Sequence, residues 1–517
     1  MASRIKTAEV AEFGDFQTPP DLCASVCRFV KERQSSFASV LEPTCGRGSF
    51  LVAALHEFHH LRQLRGVDIE ASYASEAASA LADADNSVLA QIEVASFFDY
   101  DWEATIASLP KPFLILGNPP WVTNAHVGVL SGSNLPKKSN FQGHHGLEAI
   151  TGKANFDISE WMLIRLLNIL EGTGGSLAML CKTAVARKVL AYAWRHGHHL
   201  GEAEVVLIDA MRHFGAAVDA CLLYVHYDHA AAIEKANVRR DFGDRQPFTT
   251  WGYEDGLLLA NVGAYQRWRR LWTGNSPVWR SGIKHDCASI MELRLSENGR
   301  LENGLGEQVD LENTCLYPML KSSHLNKCVG GEPTRFMIVP QRSVGEDTAR
   351  LAEDAPKTWA YLQAHKAAFS RRASSIYRRR PPFSIFGVGD YSFAPWKVAI
   401  SGLYKTISFT VVGPYHGRPF VLDDTCYFIP CLNQMQATAL AGLLNSDVAR
   451  KALGAFVFWD AKRPITVEVL RRLDLVALAK ETSGDLAAIE AAEQCQLHGL
   501  RRAREKVSTP DLFTSTH

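Results

Sequence analysis

Four consecutive residues, Asn118, Pro119, Pro120 and Trp121, could hold a planar amine for a reaction. They follow a short apolar run at 113–115 that predicts a buried strand, so they should lie at its carboxyl end, where open α/β sheets bind ligands. The Asn118 side-chain oxygen and a carbonyl freed by the prolines can accept hydrogen bonds from an exocyclic amino group, while the Trp121 indole offers a stacking face. These features suit methylation of an amine on a flipped base. For the tetrapeptide alone, a proline turn closed by a core tryptophan is an equal alternative.

A glycine-containing turn indicates a second part of the same site. Val40 and Leu41 lead into the turn, and the apolar spacing that begins at Phe50 predicts a helix after it. Gly46 and Gly48 lie between them, where they would let a ligand approach the backbone and meet free helix N–H groups. A lone G-x-G spacing also occurs in ordinary strand-to-helix turns, so the motif needs support from elsewhere.

An acidic residue ends the next predicted strand. The segment 64–70 predicts a short strand that finishes at Asp68, Ile69 and Glu70. An acid at the tip of the second strand is where Rossmann-like folds hydrogen-bond ribose hydroxyls. A helix predicted at about 71–83 then leads to a third candidate strand at 91–99. We therefore expect three strand ends, including that of Asn118, to converge on one crevice.

The chain from 122 to 225 predicts the rest of this sheet. Residues 122–156 lack periodicity, which predicts a long loop able to close over a substrate. An apolar helix follows at 158–170, and strands are predicted at 177–180, 205–208 and 221–225. The last two strands are too close in sequence for a crossover helix, so they should pair antiparallel, with Phe214 in their connection.

The pattern loosens between 230 and 280, which predicts a passage between domains. Beyond it, short strands and helices follow irregularly, which is typical of a mixed α+β domain. Strands are predicted at 335–340, 398–400, 407–412 and 427–429, and helices at 436–444, 467–473 and 487–506. The expected organisation is a first domain at 1–245, a second at 246–480, and a C-terminal helix and tail at 481–517.

Composition bounds the class of protein. The 517 residues are enough for two or three domains, and the formal net charge is zero. No segment has the ~18 unbroken apolar residues of a membrane span, and residues 1–13 lack the apolar region of a secretory signal. The 11 cysteines are scattered without zinc-site spacing. We therefore expect a cytoplasmic protein with reduced thiols, no structural metal and no membrane partner.

The neutral total conceals an uneven charge distribution. Between Lys357 and Lys480 there are 17 basic and 7 acidic residues, a net of 17 − 7 = +10, whereas residues 1–280 carry 26 basic and 30 acidic, a net of −4. This asymmetry favours a polyanion partner for the second half, although a solvated basic face is the alternative. The candidate phosphate-contacting residues are Arg371, Arg372, Arg378, Arg379 and Arg380.

The order of these motifs resembles the γ-group adenine-N6 DNA methyltransferases of bacterial restriction–modification systems. The resemblance covers nearly the whole chain, and four motifs in one order, each at a predicted strand end, are far more specific than any single one. The matching segments are Phe13 to Pro20, Glu42-Pro43-x-Cys45-Gly46-x-Gly48-x-Phe50, Asp68, Asn118 to Trp121, Phe214 with the strand at 221, and late in the chain residues 443–446 and 462–475.

This resemblance implies an α/β fold, a Rossmann-like S-adenosylmethionine-dependent methyltransferase domain followed by a mixed α+β target-recognition domain. Double-stranded DNA would be the partner, and any restriction endonuclease would be a separately encoded protein. The implied cofactor site consists of Thr18, Glu42, Pro43, Cys45, Gly46, Gly48, Asp68, Ile69, Ser96, Phe97 and Asn118. The implied catalytic residues are Asn118, Pro119, Pro120, Trp121 and Phe214, with the adenine sandwiched between the two aromatic rings and no metal in the reaction.

The chain departs from the family pattern in two places. Trp121 stands where tyrosine or phenylalanine is usual, which preserves stacking. Ser96 stands where the family has an aspartate that accepts a hydrogen bond from the cofactor's adenine, and Asp99 is either its substitute or a helix cap.

Two other classes of function compete with this interpretation. The N-P-P-aromatic motif also serves methyltransferases of RNA or of protein glutamine, but these generally lack a long basic C-terminal domain. A non-catalytic DNA-binding subunit is the third possibility, against which the intact Asn118, Gly46 and Asp68 argue.

Overall fold

The structure is a computed structural model that describes residues 17–84, 88–122, 157–228, 230–272, 278–296, 298–325, 332–482 and 489–494. Three predicted features lie outside these ranges: residues 13–16 of the N-terminal motif, nearly all of the loop predicted at 122–156, and most of the C-terminal helix and tail. The chain divides after Val262 into a first and a second compact unit. The boundary predicted at 245 is therefore displaced, because strands beyond it belong to the sheet of the first unit.

The first unit contains a ten-stranded sheet in the order β10-β9-β8-β6-β7-β5-β4-β1-β2-β3. Its strands are β1 Ser39–Glu42, β2 Gln63–Asp68, β3 Leu89–Val94, β4 Phe113–Gly117, β5 Gly175–Lys182, β6 Leu200–Ile208, β7 Ala220–Tyr227, β8 Lys235–Arg239, β9 Thr249–Glu254 and β10 Leu257–Leu259.

The registers of the central strands place their carboxyl ends side by side. Strand β1 pairs in parallel with β2 and with β4, and Ser39 is opposite both Gln63 and Phe113. Chain order reverses between β1 and β4, which is the switch point where open α/β sheets bind ligands. Strand β7 runs antiparallel to β5 and β6, as the short connection between 208 and 221 predicted.

Helices cover this sheet and bury its apolar side chains. Helix α1 begins with a proline in its first turn, where the missing N–H is not needed, and it buries Val26 and Phe29. Helix α2 buries Phe50 and Leu51 against the same core, which also contains Leu114 of β4. The helices of the unit are α1 Pro20–Lys31, α2 Ser49–Glu57, α3 Ala71–Ala84, α4 Trp102–Ser108, α5 Ile158–Thr173, α6 Thr183–Arg195 and α7 Ala210–Phe214.

The second unit is built on two smaller sheets, which agrees with the mixed α+β expectation. One sheet has the order β11-β20-β17-β18 and the other β14-β13-β12-β16-β15-β19. The strands are β11 Arg280–Ser281, β12 Glu292–Leu295, β13 Leu301–Glu302, β14 Gln308–Val309, β15 Leu316–Leu320, β16 Arg335–Ile338, β17 Trp396–Ser401, β18 Phe409–Val412, β19 Val421–Leu422 and β20 Cys426–Cys431.

Short helices complete the second unit. They are α8 Val262–Arg267, which begins at the boundary, α9 Ala288–Met291, α10 Ser322–Leu325, α11 Leu351–Asp354, α12 Pro356–Ala364, α13 Lys366–Ser370, α14 Gln434–Leu444, α15 Asp447–Gly454, α16 Val467–Leu470 and α17 Leu475–Thr482. Residues 489–494 are also helical, and Ala491 and Ala492 pack into the same core as α14 and α17. Among the described residues, no helix is both long enough and apolar enough to cross a bilayer.

The segment 230–280 is more ordered than its sequence pattern indicated. It contributes β8, β9 and β10 to the first sheet, and Trp251 in β9 is buried. Trp268 and Trp279, further along, are buried in a core of the second unit. The boundary is thus marked by a change of core and not by a long passage between domains.

Candidate active site

The turn after β1 is held by the end of β2. The Cys45 N–H donates to the Val67 carbonyl at 2.9 Å, and the Gly46 N–H donates to Oδ2 of Asp68 at 2.8 Å. The other oxygen of this carboxylate, Oδ1, accepts from the Glu70 N–H at 2.9 Å. Asp68 therefore fixes the backbone of both turns, and the glycine motif and the acidic strand end form one structure.

Both glycines of this turn have a left-handed backbone, and Gly48 also lies against a helix. Gly46 has a φ of +48° and Gly48 a φ of +82°, both in the left-handed region that favours glycine. A Cβ on Gly48 would lie 2.9 Å from the Cβ of Ala77 in α3. Gly48 therefore makes room for a helix, and the ligand clearance predicted at this position is not what its missing side chain provides.

Glu42, at the end of β1, is a buried acid beside these turns. It is 3% exposed, and its Oε2 atom has no hydrogen-bond partner in the described ranges. Burial raises the pKa of the Glu42 carboxyl well above its ordinary value, and the charge of Asp68 raises this pKa further. A carboxyl group in this position is suited to a cationic ligand, which would offset both effects.

The turn after β3 is the third side of the crevice. The Ser96 Oγ accepts from the Phe98 N–H at 3.2 Å, so this hydroxyl supports the local turn. Phe97 is buried against Trp102, with ring centroids 4.8 Å apart. Asp99 is exposed, and it does not cap the following helix, because the α4 cap is Asp101.

Asn118 follows β4 and is joined to the neighbouring segments. Its Nδ2 donates to the Thr18 Oγ1 at 3.3 Å, and its backbone carbonyl accepts from the Thr44 Oγ1 at 3.5 Å. Thr18 itself is buried. The contact to Thr18 fixes the plane of the Asn118 amide, so that its Oδ1 acceptor points away from Thr18. The predicted cofactor residue Thr18 and the predicted catalytic residue Asn118 are thus in direct contact.

Trp121 and Phe214 are neighbours, but they do not leave a slot for a base. Their ring centroids are 5.2 Å apart at an interplanar angle of 73°, an edge-to-face contact. A base sandwiched between parallel rings needs a separation of about 7 Å, twice the van der Waals spacing. In this conformation the two rings therefore do not form the parallel sandwich that the resemblance implied.

Two residues that the sequence analysis did not select hold the backbone beside Trp121. The Lys182 ammonium donates to the Trp121 carbonyl and to Oδ2 of Asp157, both at 2.7 Å. Asp157 also caps α5 by accepting from the Ser159 N–H. A lysine ending a buried strand and an aspartate before an apolar helix are signals that could have identified this pair.

The residues of the crevice fit S-adenosylmethionine. Glu42 provides a buried carboxyl for a cation, and Asp68 provides an acid at the tip of the second strand. Ile69, next to it, is 55% exposed and offers an apolar surface to a planar ring. Pro43 and Cys45 are buried in the wall of the turn.

The predicted phosphate-contacting arginines fall into two groups. Arg371, Arg378, Arg379 and Arg380 are exposed. Arg372 is different, since its Nη1 donates to the Ser384 carbonyl at 2.7 Å, its guanidinium lies 3.6 Å from the Tyr377 ring centroid, and burial lowers its pKa. Arg372 is therefore a structural residue of the second unit, and the four exposed arginines remain the stronger candidates for phosphate contacts.

Comparison with known proteins supports a single class of enzyme. The chain is 42% identical over 473 residues to the type II methyltransferase M.NspV of Nostoc sp., which covers 91% of this chain and 97% of the relative. Among solved structures, it is similar in fold to the type IIL restriction-modification enzyme MmeI, determined in complex with DNA, with a TM-score of 0.52 and 12% identity over 95% of this chain and 73% of that one. No protein-family model matches the chain.

Proposed function

This chain belongs to the type II methyltransferases, whose methyl donor is S-adenosylmethionine, and we propose that it methylates the N6 amino group of an adenine in double-stranded DNA. Its role would be the modification step of a restriction–modification system or a related phage defence. The observation that carries the proposal is the position of Asn118, which follows β4 and contacts Thr18 and Thr44 beside the Glu42–Asp68 crevice.

The chain's own residues would act on the target amine by orientation. When bound, S-adenosylmethionine supplies an electrophilic methyl group. The Asn118 Oδ1 and the Pro119 carbonyl would accept hydrogen bonds from the adenine amino group and direct its lone pair out of the ring plane. Such positioning in a crevice that excludes water provides most of the rate enhancement in reactions of this kind.

The aromatic pair would close on the base after it enters. Unstacking a base costs a few kcal/mol, and stacking on Trp121 and Phe214 would offset part of this cost. Phe214 ends α7, a five-residue helix that Asp209 caps and Gly215 terminates, and entry of a base would require this short helix or the Trp121 ring to move. The edge-to-face contact of Trp121 and Phe214 would thus be the closed resting arrangement, which a base replaces.

DNA is supported as the substrate by charge and by the relatives. The second half of the chain carries the excess of basic residues. Four of them have exposed side chains, namely Arg371, Arg378, Arg379 and Arg380. The similar enzyme MmeI was determined in complex with DNA.

The test is to incubate the purified protein with S-adenosylmethionine and mixed-sequence DNA, and to identify modified nucleosides by mass spectrometry. N6-methyladenine, mapped to one sequence by single-molecule sequencing, is the expected product. N4-methylcytosine would keep the enzyme class and overturn the choice of base. Modification of RNA or of protein glutamine in parallel reactions, with unmodified DNA, would overturn the choice of substrate, and no methyl transfer to any of them would favour a DNA-binding subunit.

A further inference from the structure

One tryptophan of the second unit is exposed on a basic surface. Trp459 has 39% of its surface exposed, whereas Trp268 and Trp279 are at most 8% exposed. Lys405 and Lys462 beside it are exposed, and Lys462 makes no hydrogen bond or ion pair with any residue that the structure describes. An exposed indole between cations is the combination that binds nucleic acids, since bases stack on the ring and phosphates pair with the cations.

We propose that Lys405, Trp459 and Lys462, here called the Trp459 surface, form a DNA-contacting site in which the indole stacks on a base or inserts at a base step. The proposal rests on the proposed function, since it takes DNA as the substrate. It adds an aromatic contact in the second unit to the phosphate contacts of the exposed arginines.

Three segments far apart in sequence build the Trp459 surface. The Gly402 N–H after β17 donates to the Thr425 carbonyl at 2.8 Å, and a Cβ on Gly402 would lie 3.3 Å from the Ile465 carbonyl. The loops after β17, before β20 and after α15 therefore pack closely. The Lys405 ammonium donates to the carbonyl of Trp459, which holds the tryptophan backbone in place.

Arg463, next to Lys462 in the chain, links the Trp459 surface to the loop before β20. Arg463 donates to the carbonyl and to Oδ2 of Asp424, at 3.1 and 3.3 Å. Asp424 in turn lies close enough to Tyr377 to contribute to the raised pKa of its hydroxyl, after burial and the charge of Asp286. Tyr377 directly precedes Arg378, Arg379 and Arg380 in the chain.

Charge complementarity selects DNA as the occupant. Asp424 is paired with Arg463, and Asp460, the acid next to Trp459 in the chain, is half-buried. Lys405 and Lys462 of the Trp459 surface are exposed, as are Arg378, Arg379 and Arg380 of the same unit. A polyanion with planar rings matches both the cations and the indole, and duplex DNA provides both the charge and the rings.

The experiment measures binding of a fluorescent duplex to full-length variants by anisotropy across a salt series. Trp459→Ala should weaken binding about tenfold, since base–aromatic stacking is worth that much or more, while Trp459→Phe should retain most of it. Lys405→Gln combined with Lys462→Gln should flatten the dependence of log affinity on log salt by up to about 1.8, ~0.9 for each phosphate contact. Met435→Ala and Lys451→Gln, exposed residues on α14 and α15, are the matched controls and should bind as the wild type does.

The outcomes separate this inference from the proposed function. If the wild type methylates DNA and both the Trp459→Ala and the double lysine variants bind within twofold of it with unchanged salt dependence, the Trp459 surface is not a DNA site. If Trp459→Ala and Trp459→Phe lose affinity equally and both unfold at lower temperature, the tryptophan is structural and the stacking role is overturned. If the wild type neither binds nor methylates DNA, the proposed function itself fails.

Discussion

Each unit of the protein has a buried ionisable side chain, Glu42 in the first and Lys397 in the second, and the two differ in their contacts. Glu42 of the first unit is 3% exposed, with one oxygen lacking a partner in the described ranges. Lys397 of the second unit is 1% exposed, but its ammonium donates to the Ala394 carbonyl at 2.6 Å and lies 5.8 Å from the Phe428 ring centroid. Burial raises the pKa of the acid and lowers the pKa of the base to about 7.

This comparison shows why a perturbed pKa is not enough to identify a functional site. Glu42 lies at the end of a central strand beside Asp68 and the turn of Gly46, where a cationic ligand would complete its contacts. Lys397 lies in β17, between β18 and β20, where the Ala394 carbonyl and the Phe428 ring offset its burial only in part. A buried group with a perturbed pKa thus indicates function only where a ligand can reach it.

The largest effect is expected on turnover, when Asn118 of the crevice near Glu42 is replaced. We expect Asn118→Ala to lower turnover by roughly 10²–10³-fold, because one oriented hydrogen-bonding group is lost from the reacting amine. Affinity for S-adenosylmethionine should stay within a few-fold, since this side chain would touch the base. Methyl transfer to DNA and calorimetric titration of the cofactor provide the two measurements. Near-normal turnover would remove Asn118 from the active site.

The second prediction concerns Lys397, whose burial should lower the stability of the protein without serving its activity. Lys397 has an ordinary pKa of 10.5 when unfolded and about 7 when folded, so between these values the unfolded chain binds more protons and stability rises with pH. Below about pH 7 both states are protonated, and the full penalty, on the order of 4–5 kcal/mol, is present.

Lys397→Met should therefore stabilise the protein by a few kcal/mol at pH 7 and remove the rise in stability between pH 7 and 10. Denaturant midpoints across this pH range measure the effect, and activity at pH 8 should be unchanged. Lys451→Met is the control, because Lys451 is exposed and paired with Asp447. A large loss of activity in Lys397→Met with the fold intact would make Lys397 functional and would remove the distinction from Glu42.

A smaller effect is expected from the exposed arginines, where long side chains reach into solvent. Neutralising Arg378, Arg379 and Arg380 together should weaken binding to all DNA sequences about ten- to a hundredfold and reduce the salt dependence by about 2.7, ~0.9 for each contact. Arg372→Gln should instead lower thermal stability, because its guanidinium contacts the Ser384 carbonyl and the Tyr377 ring. Equal effects of the two variants on binding and stability would contradict this division.

The crevice could be predicted from the sequence because its parts are local. The carboxyl ends of β1, β2 and β4 each carry their candidate residues within a few positions, so spacing alone places Gly46, Asp68 and Asn118 at one edge. The antiparallel pairing of β6 and β7 was likewise predictable from a short connection. The sheets and short strands of the second unit depend on pairings between distant segments, which periodicity does not encode.

The remaining differences between prediction and structure concern side-chain contacts, which spacing in the sequence does not determine. Density of charge selected Arg372 together with exposed arginines, but only its packing against Tyr377 shows that it is structural. The resemblance placed Trp121 and Phe214 at one site, and the rings are neighbours, but the angle between them depends on packing. The same limit hid the Lys182–Asp157 pair, whose members are 25 positions apart.

The smallest expected effect concerns Ser96, which stands where the resemblance implies an aspartate. Its hydroxyl accepts the Phe98 N–H at 3.2 Å, a contact that an aspartate side chain can also make while adding a charged acceptor for the cofactor's amino group. We therefore expect Ser96→Asp to tighten S-adenosylmethionine binding a few-fold by calorimetry. Ser96→Asn separates the geometry of the acceptor from its charge, and it should give a smaller gain.

Asp99→Asn should leave the affinity of that cofactor unchanged, because the Ala95 N–H donates to the Asp68 carbonyl and so places Ser96 beside the acidic strand end, whereas Asp99 lies three residues further on. A loss of affinity in Asp99→Asn, with no gain in Ser96→Asp, would make Asp99 the acceptor. Weaker binding in Ser96→Asp with no effect of Asp99→Asn would exclude both residues, and the third motif would then have to lie outside residues 95–99. In that case the turn after β3 would serve the aromatic packing of Phe97 and Trp102 alone, and only β1, β2 and β4 would form the crevice.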